Sequence, residues 1–125
     1  NAERLIPFTV SSGSELRFGV DPDTVSVGKD GVVRYVLVAR SSSGLNNVLY
    51  QGLRCGASEF KTYAIWQAGE GWRAPSDASW KGWVETAAGT PAMRLAREAF
   101  CDGRYPNEPV SKMLSDLRHG KPQRR

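Results

Sequence analysis

Three consecutive segments decide the fold: Val32-Val-Arg-Tyr-Val-Leu-Val-Ala-Arg40, the loop Ser41-Ser-Ser-Gly-Leu-Asn-Asn47, and Val48-Leu-Tyr-Gln-Gly-Leu-Arg-Cys55. The first is rich in β-branched residues and apolar on both faces, which predicts a central strand packed on two sides. The third is also strand-like, and the polar loop between them predicts a hairpin. With Arg40 opposite Val48, the pairing sets Val38 against Tyr50, Val36 against Gly52 and Arg34 against Arg54. Two arginines directly opposite destabilise a sheet unless a carboxylate or another anion lies between them. Arg34 and Arg54 are therefore a candidate anion- or partner-binding pair. Asp21, Asp23 and Glu59 are the internal acids that could neutralise them instead.

Upstream, Leu16–Val20 reads as a short strand stopped by Asp21-Pro22-Asp23, and Thr24–Val27 as another before the turn chemistry of Gly28-Lys-Asp-Gly31. Within the weakly periodic first 15 residues, Leu5, Ile6, Phe8 and Val10 are expected to dock on the sheet edge. Downstream, Phe60–Gln67 alternates Phe60, Thr62, Ala64 and Trp66 against Lys61, Tyr63, Ile65 and Gln67, a further strand. Gly69-Glu-Gly71 turns the chain into Trp72, and the stretch to Trp83 is irregular. Thr90-Pro91 predicts a helix start with Thr90 as N-cap, an apolar stripe of Ala92, Leu95, Ala96, Ala99 and Phe100, and Gly103 as its end. A second short helix is predicted over Pro109–Arg118, with Val110, Met113, Leu114 and Leu117 on one face. Strands first and helices last predict an α+β fold, a mostly antiparallel sheet of about five strands with one or two C-terminal helices on one face.

The chain has 125 residues, 40% hydrophobic and 24% charged, which fits one globular domain over residues 1–119. No run approaches the roughly 18 apolar residues of a membrane span. The formal charge is +4, and Arg118, Lys121, Arg124 and Arg125 account for all of it. A neutral body lacks the broad basic footprint of a nucleic-acid-binding fold. Residues 120–125 read as a basic disordered tail. Binding of nucleic acid or anionic envelope polymer through that tail is a third-ranked functional reading.

Cys55 and Cys101 are the only cysteines, one closing a predicted strand and the other a predicted helix. The pair reads as a single disulfide, with buried free thiols as the alternative. Zinc needs about four ligands, and the single histidine, His119, adjoins the tail. A disulfide implies an oxidising compartment. The chain begins Asn1-Ala2-Glu3 without Met or leader, so a removed export signal is expected.

Trp66, Trp72, Trp80 and Trp83 fall within 18 residues. They form either an aromatic surface for glycan or peptide, or a plug at the end of the sheet. Glu70 lies between Trp66 and Trp72 and Glu85 just beyond Trp83, so an enzyme acting on cell-wall glycan, or an inhibitor of one, is the second functional reading. There is no nucleophile elbow, phosphate loop or dinucleotide fingerprint. Asp21-x-Asp23 lacks the rest of a calcium loop. No catalytic residue, metal or cofactor is assigned.

The order Phe18-x-Val20-Asp21, Asp30-Gly-Val-Val-Arg-Tyr35, Asn47-Val48-x-Tyr50-x-Gly52-x-Arg54-Cys55, Tyr63-Ala64, Trp72 and Phe100-Cys101 resembles the cryptic neisserial protein-like family. The resemblance spans about residues 15–102. Its members are small envelope proteins or lipoproteins of Gram-negative bacteria without an established activity. The resemblance implies a signal peptide and a periplasmic or outer-membrane-associated location, and supplies no catalytic residues. The lipid-bearing N-terminal Cys of lipoprotein members is not in this sequence, so peripheral membrane association would need an anchor outside it. The leading reading is a non-catalytic binding or accessory protein. Its partner would be another envelope protein or a cell-wall component, met by Arg34/Arg54 or by the tryptophan segment.

Overall fold

The structure, a computed structural model, describes residues 4–10, 17–44 and 46–121. Leu16, where a strand was expected to begin, and the tail residues Arg124 and Arg125 lie outside them. Strands β1 (Ile6–Phe8), β2 (Arg17–Val27), β3 (Val33–Arg40), β4 (Asn46–Arg54), β5 (Glu59–Gln67) and β6 (Gly71–Arg73) lie side by side in chain order, each antiparallel to the next. A two-residue strand, β7 (Lys81–Gly82), also pairs with β5. Helix α1 (Thr90–Leu95) runs on as a π-helical turn over Ala96–Phe100. The ribbon β8 (Cys101–Asp102) and β9 (Tyr105–Pro106) then leads to α2 (Val110–His119). The expected α+β architecture is present, with the disulfide-linked helical region on one face of the sheet.

Period-2 burial along β3 defines the two faces. Val33, Tyr35, Leu37 and Ala39 are buried, whereas Arg34, Val36 and Val38 are half-buried. The helices cover the inner face only, so the expectation of a strand packed on both sides is corrected. Against that face Leu95, Ala99, Phe100 and Met113 pack on Val20, Val33, Leu37 and Leu53. Tyr35 lies at the centre, its ring 5.2 Å from that of Phe100. Its hydroxyl donates to Gln51 Oε1 at 2.9 Å, and the Gln51 amide donates to Thr62 Oγ1 at 3.1 Å. Buried polar groups persist in a core when satisfied in this way. Burial also pushes the Tyr35 phenol well above the ordinary tyrosine pKa, so it stays a neutral donor.

Several local expectations change. Asp21-Pro22-Asp23 does not stop the strand: β2 runs through it as a wide bulge, with register passing from Asp21↔Val36 to Ser26↔Arg34. Thr24 makes this bulge viable, its hydroxyl donating to the Asp21 carbonyl at 2.7 Å and accepting the Val36 N–H at 2.9 Å. Thr90 is already helical, and the chain enters α1 through a 3₁₀ turn at Ala87–Gly89. Gly89 takes the N-cap position because a Cβ there would sit 2.4 Å from the Trp83 carbonyl oxygen. The helix ends at Phe100, not Gly103. Cys101 leaves it as extended chain to meet Cys55 (Cα–Cα 5.7 Å), and Gly103, at φ 61°, turns β8 into β9.

Two of the carbonyls at that helix end, those of Ala99 and Phe100, are satisfied from one residue, Asn107. Its backbone N–H donates to Phe100 O at 3.0 Å, and its side-chain amide donates to Ala99 O and Asp116 Oδ2, both at 2.8 Å. Asn107 thus fastens α2 to the end of α1. Lys121, assigned to the tail from sequence, donates to the Cys101 carbonyl at 2.7 Å.

Candidate functional site

The β3–β4 hairpin closes two residues tighter than expected. Arg40 faces Asn46, so Val38 meets Val48, Val36 meets Tyr50, and Arg34 meets Gly52 rather than Arg54. A shift of two residues keeps every side chain on its predicted face, but the arginines become diagonal neighbours with separate partners. Arg34 pairs with Asp30 at 2.9 Å. Asp30 also accepts the Val32 N–H at 3.0 Å, and these contacts, Arg34 foremost, hold its carboxyl below the usual aspartate range. Arg54 pairs across the β4–β5 hairpin with Glu59 at 3.4 Å. Of the other acids considered, Asp23 pairs with Arg4 at 3.0 Å and Asp21 accepts the Asp23 N–H.

The two arginines do share an aromatic floor. The register of β4 on β5 jumps from Gln51↔Thr62 to Tyr50↔Ala64, leaving Tyr63 as the extra residue of a bulge. This reverses the alternation expected along β5: Phe60, Thr62 and Ile65 belong to the inner face, and Lys61, Tyr63, Ala64 and Trp66 to the outer one. The Tyr63 ring lies over Gly52, where any Cβ would meet its hydroxyl at 2.9 Å. There it stands 5.0 Å from the Tyr50 ring and, edge-on, 6.5 Å from the Trp80 ring. The Arg54 guanidinium carbon sits 3.9 Å above Trp80, that of Arg34 lies 5.5 Å from Tyr63, and Lys61 Nζ lies 5.3 Å from Tyr63. Tyr50 and Tyr63 belong to the residues that carry the family resemblance, but neither they nor Lys61 are among the candidate site residues read from the sequence. The available signal was a glycine in mid-strand, which marks close approach by another group.

The tryptophans divide between the faces. Trp66 and Trp72 pair directly across β5 and β6 on the outer face, and Trp72 is 55% exposed. Trp80 joins Tyr63 there, while Trp83 is in the core, 7% exposed. Glu70 belongs to the turn after β5, whereas Glu85 follows β7, which pairs with the first residues of β5. The intervening strand is about 26 Å long at about 3.3 Å per residue. Both carboxylates are exposed, and that separation rules them out as a catalytic pair.

On the inner face, beyond the helices, a groove of about 510 Å³ runs between the sheet and the segment 73–91, with Leu49, Phe60, Ile65 and Pro91 among its lining. Gln51 and Thr62 in its floor are bonded to each other. At its rim Asp77 accepts the Ser79 hydroxyl at 2.7 Å and N–H at 3.0 Å, and pairs with Lys81 at 3.3 Å. These contacts, the Ser79 hydroxyl first, lower its pKa to about 2. A carboxylate whose folded pKa is depressed stabilises the fold above its unfolded pKa of about 3.9 and loses that contribution as pH falls toward the folded value. A carboxyl-carbon NMR titration should therefore place the Asp77 midpoint near 2, and Ser79→Ala should move it up toward the ordinary aspartate value. A wild-type midpoint near 4 would contradict this rim geometry.

Among the described residues no cluster of histidine, cysteine and acidic side chains is disposed to hold a metal ion, and no helix is long and apolar enough to cross a membrane. A sequence model of the CNP1-like family matches residues 1–118. The chain belongs to the CNP1-like family. It is similar to Cryptic neisserial protein 1 of Neisseria gonorrhoeae (strain ATCC 700825 / FA 1090), at 27% identity over 106 residues, covering 75% of this chain and 52% of that protein. The chain thus spans about half the length of the curated relative it matches. No solved structure matches it. The region assigned to the CNP1-like family contains the disulfide, both helices up to Arg118 and the whole outer-face cluster.

Proposed function

We propose that this CNP1-like protein is an exported, non-catalytic binding module of the Gram-negative envelope, and that its outer sheet face docks a protein partner. The observation that carries this reading is the stacking of Arg54 on Trp80 and of Arg34 against Tyr63. Trp, Tyr and Arg are the residues enriched at the energetic centres of protein interfaces. Each arginine already has its own acid, so neither guanidinium offers an uncompensated charge to an isolated anion. A guanidinium held by an acid and laid on a ring also has less freedom left to lose on binding. Trp72 supplies an exposed anchor beside this patch. The disulfide supports an oxidising location, and the likeness to a neisserial protein is consistent with it.

A cell-wall glycan could also stack on these rings, so the test must separate the two partners. Immobilised oxidised protein is offered an envelope extract, in parallel with Trp72→Ala/Trp80→Ala and Arg34→Gln/Arg54→Gln variants whose folding is verified by circular dichroism. Wild type should retain a discrete protein that both variants lose by about tenfold or more, with no effect of muramidase digestion. Equal capture by all three proteins, or capture abolished by muramidase, would reject the protein-docking reading.

A further inference from the structure

The facing arginine pair expected at 34 and 54 occurs elsewhere in the sheet. Arg17 on β2 lies directly opposite Arg40 on β3, one row beyond Gly19↔Val38 on the same outer face. Like charges placed so oppose sheet pairing unless something negative joins them. Every ion pair among the described residues is made by another cation: Arg4, Arg34, Arg54, Lys81 or Arg94. Arg40 Nε donates to Asn46 Oδ1 at 3.2 Å, a neutral partner that leaves its charge uncompensated.

The pair borders a pocket of about 240 Å³, whose lining also includes Leu5, Pro7, Gly19 and Val38. Gly19 helps shape it. A Cβ there would meet the Leu5 Cβ at 3.0 Å, so the bare glycine lets Leu5 lie close against the sheet. At about 30 Å³ per water, the pocket has room for a tetrahedral anion and a short apolar stem. Guanidinium forks match phosphate oxygens, and two of them can share one phosphate. The aliphatic walls favour an anion attached to a hydrocarbon over a polyanion hydrated on all sides.

We infer that Arg17 and Arg40 form a binding site for a phosphate monoester carried on an alkyl stem. The phosphate lies between the two guanidinium groups, and the stem lies against Leu5, Pro7 and Val38. This site stands apart from the Tyr63–Trp80 cluster, on strands β1 to β3, and does not depend on the docking proposal.

The probes are hexyl phosphate, inorganic phosphate and hexanol, added to the oxidised full chain and followed by amide NMR shifts. Phosphatidylcholine vesicles with and without phosphatidic acid distinguish a membrane source of the group from a soluble one. Hexyl phosphate should shift the Gly19, Val38 and Arg40 amides and bind more tightly than inorganic phosphate, while hexanol leaves those amides unmoved. Arg17→Gln and Arg40→Gln should each weaken hexyl phosphate by about tenfold or more, as expected for loss of a charge-assisted bond, and Trp72→Ala/Trp80→Ala should not. Unchanged affinity in both arginine variants, or shifts centred on Arg34 and Arg54, overturns the inference. Glu15, the acid nearest to Arg17 in sequence, lies outside the described residues. If hexyl phosphate binds only after Glu15→Gln, the chain's own acid closes the site and the inference is equally overturned.

Discussion

Trp83→Ala should cost about 3–5 kcal/mol of stability, while Trp72→Ala should change it by less than about 0.5 kcal/mol. Both residues come from the same aromatic segment, and the difference follows from pairing phase. β7 sets Lys81 beside Phe60, an inner-face residue, and Trp83 lies two residues further along on that side. It is 7% exposed within the core, and its backbone N–H, donating to the Ser58 carbonyl at 3.0 Å, fixes the chain at that point. Truncation there removes a large, almost fully enclosed ring from the core and leaves a cavity in its place. Trp72 is 55% exposed, and its truncation removes surface that is already largely in water. Urea titrations of the two variants, with equal m-values as a check on two-state behaviour, measure the difference. Similar midpoints for both would contradict the division of the tryptophans between the faces.

The second large effect belongs to Cys55 and Cys101. Removing a cross-link that closes a loop of 46 residues should cost about 4 kcal/mol by the chain-entropy relation. Typical domains have about 5–15 kcal/mol in total. The loop contains β5, β6, β7 and α1, so the link restricts most of the second half of the unfolded chain. Asn107 and Lys121 hold the same corner by hydrogen bonds, and these survive reduction. The reduced protein should therefore fold to the same architecture with a lower urea midpoint. Cys55→Ala/Cys101→Ala should match the reduced wild type and be insensitive to dithiothreitol. A wild-type midpoint unmoved by reductant would contradict the cross-link's role, and with it the argument for an oxidising compartment.

Much of this architecture was legible in the sequence because long elements carry periodic patterns. Ala92, Leu95, Ala96, Ala99 and Phe100 along the first helix reach the core as their spacing predicts. By contrast β3, apolar on both faces, gave no sign that Val33, Tyr35, Leu37 and Ala39 alone would be buried. Hairpin register was not legible, since Asn46 and Asn47 have loop chemistry yet belong to β4. The β2 and β5 bulges were hidden for a related reason. Asp21-Pro22-Asp23 has the composition of a stop, and nothing in Thr62-Tyr63-Ala64 announces an extra residue. β6 and β7, at three and two residues, are too short to have a period. The candidate site depends on these features. Which tryptophans face outward and which ring lies beneath Arg34 are set by strand pairing, a long-range property. Gly52 was the one local clue to the position of Tyr63.

The most direct test of a protein-docking outer face is site-specific photocrosslinking in the cells that produce the protein. Benzoylphenylalanine is placed at position 72 on the outer face and, separately, at position 88 on the rim of the inner groove. A discrete protein adduct should form from position 72, be absent from position 88, and disappear when Arg54→Gln and Trp80→Ala are added. An adduct from position 88 alone, or no adduct from position 72, would contradict the docking role assigned to the outer face.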